Sequence, residues 1–449
     1  MRDSNLKPSN HNCIGEIPYE WNIKKLKYVV QKLKSGGTPD SSNPDYYTDE
    51  DSGIKWLSIG DMSTNDFVYD TKNRITYNGV LVKKLNIFPI GTIVYSIYAT
   101  IGKVSELGTE AAINQAILAI TPKKELNKDF LKFSLKSLED YAISLTSEST
   151  QKNLNANKVE NFPIVFPQLR EQVLIASFLD QKCSNIDSII SDLEKQIDIL
   201  EKYKKSVISE AVTKGLNPDV EMKNGGTIGK LPEHWKVTKL GYVFTFLGGN
   251  AYSSEQYVPD SKNQLIRIGN VKDFNLMLEA SPAFISDEIA KSTNKFKLKS
   301  GNILFTMTGT KGKRDYFFTH LLTSDDIKDI NLYLNQRVGC LIPKKNVHAN
   351  YFNYLLKDEL ILDSVFIHET GTANQGNLGI DSIKRTLLHL PPLIEQKEIS
   401  TYLDKKCFEI DSVIKGKQKQ LEIIKTYKNS LIYEYVTGKK RVGQGDVNE

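Results

Sequence analysis

The chain has 449 residues, 40% hydrophobic and 25% charged, with 59 Lys and Arg against 54 Asp and Glu and a formal net charge of +5. This is the balance of a soluble globular protein of two to four domains, and the charge is too thinly spread to imply nucleic acid by itself. Cys13, Cys183, Cys340 and Cys407 form no CxxC pair and histidine is scarce, which argues against a zinc site and for a reducing compartment.

In chain order, the opening residues MRDSNLKPSNHN are polar and lack the apolar core of a signal peptide. No run of about 18 apolar residues follows, so a cytoplasmic protein with no membrane span is expected. Residues 14–29 read IGEIPYEWNIKKLKYV and residues 228–243 read IGKLPEHWKVTKLGYV, identical at eight of sixteen positions 214 residues apart. The correspondence continues at 221 residues, where Asn114-Gln115 and Pro122-Lys123-Lys124 match Asn335-Gln336 and Pro343-Lys344-Lys345. From Asn153-Leu154 and Asn377-Leu378 onward the offset is fixed at 224. Insertions therefore fall in loops of the first part of each copy, and the second part is constant in length, as a packed helix requires.

The first part of each copy reads as mixed α/β. Strands are predicted at 56–59, 92–96, 117–120 and 163–166, with counterparts at 265–268, 303–308, 338–342 and 387–390. Short helices are predicted at 127–136 and 349–357. Turn chemistry surrounds Ser35-Gly36-Gly37-Thr38-Pro39, Gly248-Gly249-Asn250 and residues 371–379.

The second part of each copy reads as one long amphipathic helix, opened by Pro167 or Pro391-Pro392 and closed by Gly215 or Gly438. In the first, Ile186, Ile190, Leu193, Ile197, Leu200 and Val207 alternate four and three apart, with Lys204 skipped. In the second, Ile410, Ile414, Leu421, Ile424 and Leu431 do the same, with Lys417 and Lys428 skipped. At about 1.5 Å per residue each helix is roughly 60–65 Å long, and its narrow stripe suits a partner helix better than a globular surface. The expected fold is α+β: two similar mixed α/β domains joined by two long antiparallel helices packed as a coiled coil, an internal repeat with a pseudo-two-fold axis. The chain divides into a first domain (1–166), first helix (167–214), linker (215–227), second domain (228–390), second helix (391–438) and polar tail (439–449).

No catalytic or metal-binding constellation emerges. Asn43-Pro44-Asp45-Tyr46 is similar to the Asn-Pro-Pro-aromatic loop of amino-methyltransferases, but it lacks the second proline and is read as a proline turn. The acidic run from Pro218 to Lys223 lies in a linker with no strands to converge it on a metal. Basic and amide side chains gather in the loops instead: Lys34, Thr38, Lys55, Lys103, Lys152 and Asn153 in the first copy, and Arg267, Asn270, Lys311, Lys313, Arg314, Arg337, Asn374 and Gln375 in the second. Lys and Arg neutralise phosphates, while Arg, Asn and Gln read base edges, so these are the candidate DNA contacts.

IGEIPYEW and IGKLPEHW, SGGTP followed by KWLSIGDM, the TQKNLN and ANQGNL loops, PQLREQ and PPLIEQ, and VISEAVTKGLNPDVEM span nearly the whole chain. Together they resemble the specificity subunit of type I restriction–modification systems. The resemblance implies two target-recognition domains, each reading one half of a bipartite, asymmetric double-stranded DNA site. It implies helices that space them and dock two methyltransferase (M) subunits, with motor–nuclease (R) subunits in the full complex. S-adenosylmethionine would be bound by the M subunits and no cofactor by this chain, which would itself catalyse nothing. The assembled complex would be an adenine-N6 methyltransferase and, with its motor, an endonuclease. The alternative is a stand-alone bipartite DNA-binding protein without a modification partner.

Overall fold

The computed structural model describes residues 6–62, 66–146, 154–372 and 374–443. Two compact units emerge, one of residues 1–194 with 418–449, the other of residues 195–417. The division passes through both long helices, so each unit holds one globular domain and half of each helix.

In the first unit, strands Val30–Ser35, Ile117–Pro122, Ile93–Ser96, Val104–Leu107 and Phe67–Val68 lie side by side in that order. A second five-stranded sheet is built around Ile54–Leu57 and Ala111–Ile113. The second unit repeats the plan with Phe244–Gly248, Val338–Pro343, Ile303–Thr306 and Thr319–Leu321. Every strand and short helix expected from the sequence has an observed counterpart, among them the helices Lys128–Ser137 and Ala349–Leu355. Pro44–Tyr46 is a single 3-10 turn, with the Asn43 side chain accepting from the Asp45 N–H, as a proline turn requires.

The long helices are Leu169–Lys214 and Leu393–Val436, each closed by a left-handed glycine, Gly215 at φ +79° and Gly438 at φ +75°. Their first turns explain the repeated motifs. Trp21 donates its indole N–H to Glu171 at 3.0 Å, and Trp235 does the same to Glu395 at 2.7 Å. The neighbouring Gln172 and Gln396 are buried, each accepting the N–H at the start of a short helix, from Asn127 at 2.7 Å and His348 at 2.9 Å. Each amide also donates to its own proline carbonyl, Pro167 or Pro391, at 2.9 Å. These glutamates therefore do more than favour a helix N-terminus: they satisfy the only polar atom of a buried tryptophan, which is costly to leave unpaired.

In the first unit the N-terminal half of the first helix packs against the C-terminal half of the second. Ile175, Leu179, Cys183 and Ile186 share one core with Leu431, Ile432, Tyr435 and Val436. In the second unit the halves are exchanged, with Ile208, Ala211 and Val212 joining Ile399, Leu403 and Cys407. The pair is therefore antiparallel.

All eleven expected seam residues are buried or half-buried. Lys204, Lys417 and Lys428 occupy seam positions too, so the stripe is an unbroken heptad in which three layers are polar. Lys204 reaches Asp411 at 2.6 Å, its repeat counterpart Lys428 reaches Asp187 at 2.6 Å, and Lys417 donates to Gln196 at 2.5 Å. Lys425 adds a pair with Glu194 at 3.0 Å. The aliphatic stems cover the seam and the ammonium groups emerge at its edge.

This pattern selects direction. Parallel pairing with the repeats in register would set Lys204 beside Lys428 and Asp187 beside Asp411, whereas antiparallel pairing joins each lysine to an aspartate. With side chains 29% and 54% exposed, the Lys204–Asp411 pair contributes about 1 kcal/mol or less, so its value is orientation more than stability. Lys204→Glu combined with Lys428→Glu is expected to lower stability by roughly 1–3 kcal/mol. Adding Asp187→Lys and Asp411→Lys should restore most of the loss, a coupling readable from urea-unfolding midpoints of the four combinations.

Candidate nucleic-acid interface

Two glycine loops mark the same end of the main sheet in both units. Gly36 follows Val30–Ser35, and a Cβ there would lie 1.9 Å from the Ile113 carbonyl oxygen. Gly249 follows Phe244–Gly248, and a Cβ there would lie 2.0 Å from the Asn335 carbonyl oxygen. Only glycine lets these loops press onto the strand connections that carry Asn114-Gln115 and Asn335-Gln336.

Most candidate contacts collect at this end. In the second unit, Ile303–Thr306 and Val338–Pro343 are antiparallel with Thr306 opposite Val338, so residues 307–314 and 335–337 emerge together. Thr308–Gly309, Gln375–Asn377 and Thr370–Thr372 extend there as a small three-stranded sheet. It brings Lys311, Lys313, Asn374 and Gln375, all exposed, beside exposed Arg337, whose carbonyl accepts from the Met307 N–H at 3.0 Å. The Glu369 carboxylate fastens the loop, accepting from the Gly312 N–H at 3.0 Å and the Tyr316 hydroxyl at 2.8 Å. Burial, then this carboxylate, raises the Tyr316 phenol pKa, so the tyrosine remains a neutral donor. Lys311 donates to the Gly371 carbonyl at 2.9 Å. Arg314 turns away to Asp363 at 2.6 Å, which neutralises its charge locally.

In the first unit Lys34, Thr38 and Lys103 lie at the matching end. Lys34 meets Asn86 at 3.3 Å, Thr38 meets the exposed Gln115, and Lys103 pairs with Glu139 at 3.4 Å. Lys152 and Asn153 fall outside the described residues.

Three candidates are used by the fold itself. Asn270 is 1% exposed and donates to the Met277 and Ala280 carbonyls, both at 2.9 Å, while accepting from the Arg267 N–H at 2.8 Å. It closes a turn inside the domain and is corrected from a DNA contact to a structural residue. Lys55 is held by the Tyr69 carbonyl and Thr109 hydroxyl, both at 3.0 Å, and Arg267 by the Ser281 carbonyl. Conversely, Gln115 and Gln336 are exposed at the loop end and were not among the candidates. Their signal was present in the repeated Asn-Gln pair immediately before a strand.

Among the described residues no group of three His, Cys, Asp or Glu could hold a metal ion. Cys183 and Cys407 are buried seam residues at repeat-matched positions, and burial pushes the Cys183 thiol up to about 11, where it is inert.

The model of the type I restriction modification DNA specificity domain matches twice, over residues 18–203 and 232–423. The chain belongs to the type I restriction–modification specificity family. It is 27% identical to the Type I restriction enzyme MjaIX specificity subunit of Methanocaldococcus jannaschii over 96% of this chain and 95% of that one. It is 23% identical to the EcoBI specificity subunit of Escherichia coli over 73% and 69%. A solved structure described as the structural basis underlying complex assembly and conformational transition of the type I R-M system overlays with a TM-score of 0.68, covering 94% of this chain and 99% of that one. At 14% identity that overlay establishes shared fold. This specificity subunit thus carries two target-recognition domains, each a mixed α/β unit followed by a long helix. No described helix is long and apolar enough to cross a membrane.

The glycine loops supply a direct test. Gly36→Ala and Gly249→Ala are each expected to cost about 1–3 kcal/mol, because the added methyl meets backbone. Gly269→Ala, where nothing lies within 4 Å, should leave the thermal midpoint nearly unchanged.

Proposed function

We propose that this specificity subunit reads a bipartite, asymmetric double-stranded DNA site, one domain per half-site. Two methyltransferase subunits dock on it, and motor–nuclease subunits join the full complex, in the cytoplasm. S-adenosylmethionine belongs to the methyltransferase subunits. The observation that carries this reading is the contrast within the repeat. The anchoring Trp–Glu–Gln arrangement and helix seam are duplicated, while the loop ends differ. Beyond the shared Gln115 and Gln336, the first unit presents Lys34, Thr38 and Lys103, and the second Lys311, Lys313, Arg337, Asn374 and Gln375. Duplicated scaffolds with unlike reading ends suit a site whose two halves differ.

Arg337, Gln336 and Gln375 have the planar donor arrays that read base edges, and Lys311 and Lys313 are point charges for phosphates. Arg337→Ala should cost about 1–3 kcal/mol at one position of the second half-site and leave the first unaffected. Lys313→Ala should weaken binding evenly across sequences and reduce the salt slope by about 1. Salt-dependent binding to duplexes carrying single half-site changes measures both. Loss of discrimination in the wrong half would refute the assignment.

The helices are proposed to set the gap between half-sites. One heptad added to both lengthens them by about 10 Å, roughly three base pairs. Methylation-site sequencing should then find unchanged half-sites and a longer gap. Altered half-sites would contradict this role.

A further inference from the structure

The main sheet of each unit has a second end, and there the two units are alike. Val30 pairs with Pro122 and Phe244 with Pro343, so Lys123-Lys124 and Lys344-Lys345 emerge beside Tyr28 and Tyr242. The backbone N–H of Lys123 donates to the Val29 carbonyl at 3.0 Å, and that of Lys344 to the Val243 carbonyl at 3.0 Å. The Lys123 ammonium then caps the one-turn helix Leu26–Val29 at the Tyr28 carbonyl, 2.8 Å away. The Lys344 ammonium caps Leu240–Val243 at the Gly241 carbonyl, 2.9 Å away. The backbone bond is the same in both copies, and the lysine ammonium caps the same short helix in each, at Tyr28 in the first and one position earlier, at Gly241, in the second.

What it holds out to solvent is a large aromatic ring among lysines. Tyr28 is 61% exposed and Tyr242 71%, at matching places in KLKYV and KLGYV. Lys124 and Lys345, next in sequence to the capping lysines, are exposed as well. Exposed positions are normally free to drift between two copies of a repeat, as the exposed Glu16 and its counterpart Lys230 have. Identity of the tyrosine and both lysines, set on the same backbone bond, points to a ligand presented in the same form to each unit.

Position separates this ligand from the bases being read. The glycine loops and candidate contacts lie at the other end of strands five to six residues long, roughly 15–20 Å away. An exposed tyrosine flanked by ammonium groups is the composition of a protein-binding anchor for an acidic surface.

We infer that the Tyr28–Lys124 and Tyr242–Lys345 patches are two equivalent docking points for one acidic protein surface, engaged once per unit by each methyltransferase subunit. The inference rests on the proposed function and adds to it the chemistry of the contact on the globular domains.

The test uses the full chain with the methyltransferase subunit of its own system, with stoichiometry and affinity read by native mass measurement. Tyr28→Ala with Lys124→Glu should leave one methyltransferase tightly bound and weaken the other at least tenfold. The corresponding pair at Tyr242 and Lys345 should mirror it, and all four changes together should weaken both. Neither Lys124 nor Lys345 caps a helix, so the thermal midpoint should hold, which separates lost docking from lost folding. Two copies retained at wild-type affinity would overturn the patch alone. Weakened DNA affinity with methyltransferase binding intact would overturn it in favour of a phosphate-binding surface. A wild-type chain that binds no methyltransferase would overturn the proposed function as well.

Discussion

A long amphipathic helix cannot bury a narrow stripe alone, and this chain makes two of them with the same heptad register. Their antiparallel seam is the constraint on which the rest depends. The seam draws half of each helix into each compact unit, so residues near the C-terminus complete the core of the first domain. Arg441 stacks over Trp21 and joins Glu171 and Glu20, and the Tyr433 hydroxyl donates to the Ile14 carbonyl at 2.7 Å. In the second unit, the Tyr351 hydroxyl donates to the Val212 carbonyl at 3.1 Å, tying a globular helix to the end of the first long helix. Neither domain is closed by its own contiguous sequence.

The polar layers refine that constraint. An all-aliphatic seam would pair in either direction. Placing lysines at repeat-equivalent positions, with aspartates seventeen residues away on each helix, makes one direction attractive and the other repulsive. Since the pairs are half-exposed, they choose between arrangements without having to supply much stability. The Trp–Glu–Gln anchorage acts on the next level, fixing each globular domain to the first turn of its helix through part-buried Trp–Glu and buried Gln–Pro hydrogen bonds.

Against this duplicated frame, the two copies diverge most at one end of the main sheet. The end of each sheet near Gly36 or Gly249 differs in loop length, charge and architecture, down to a three-stranded extension described only in the second unit. The far end keeps the same tyrosine, lysine pair and backbone bond in both. Under the proposed function, a protein meeting unlike DNA halves and like partners needs that division of labour within each domain.

The repeat, both helices, their seam and the strands around Ile117 and Val338 were legible from sequence. They rest on local periodicity and on comparing the chain with itself. The three skipped lysines were visible but not their role, because a seam position and its partner lie more than two hundred residues apart. Only tertiary structure decided which loop side chains were free. Asn270 and Lys103 look alike as polar loop residues, yet one closes an internal turn and the other stands at the sheet end. Side-chain exposure depends on how the backbone folds back on itself, and residue type and spacing do not encode that.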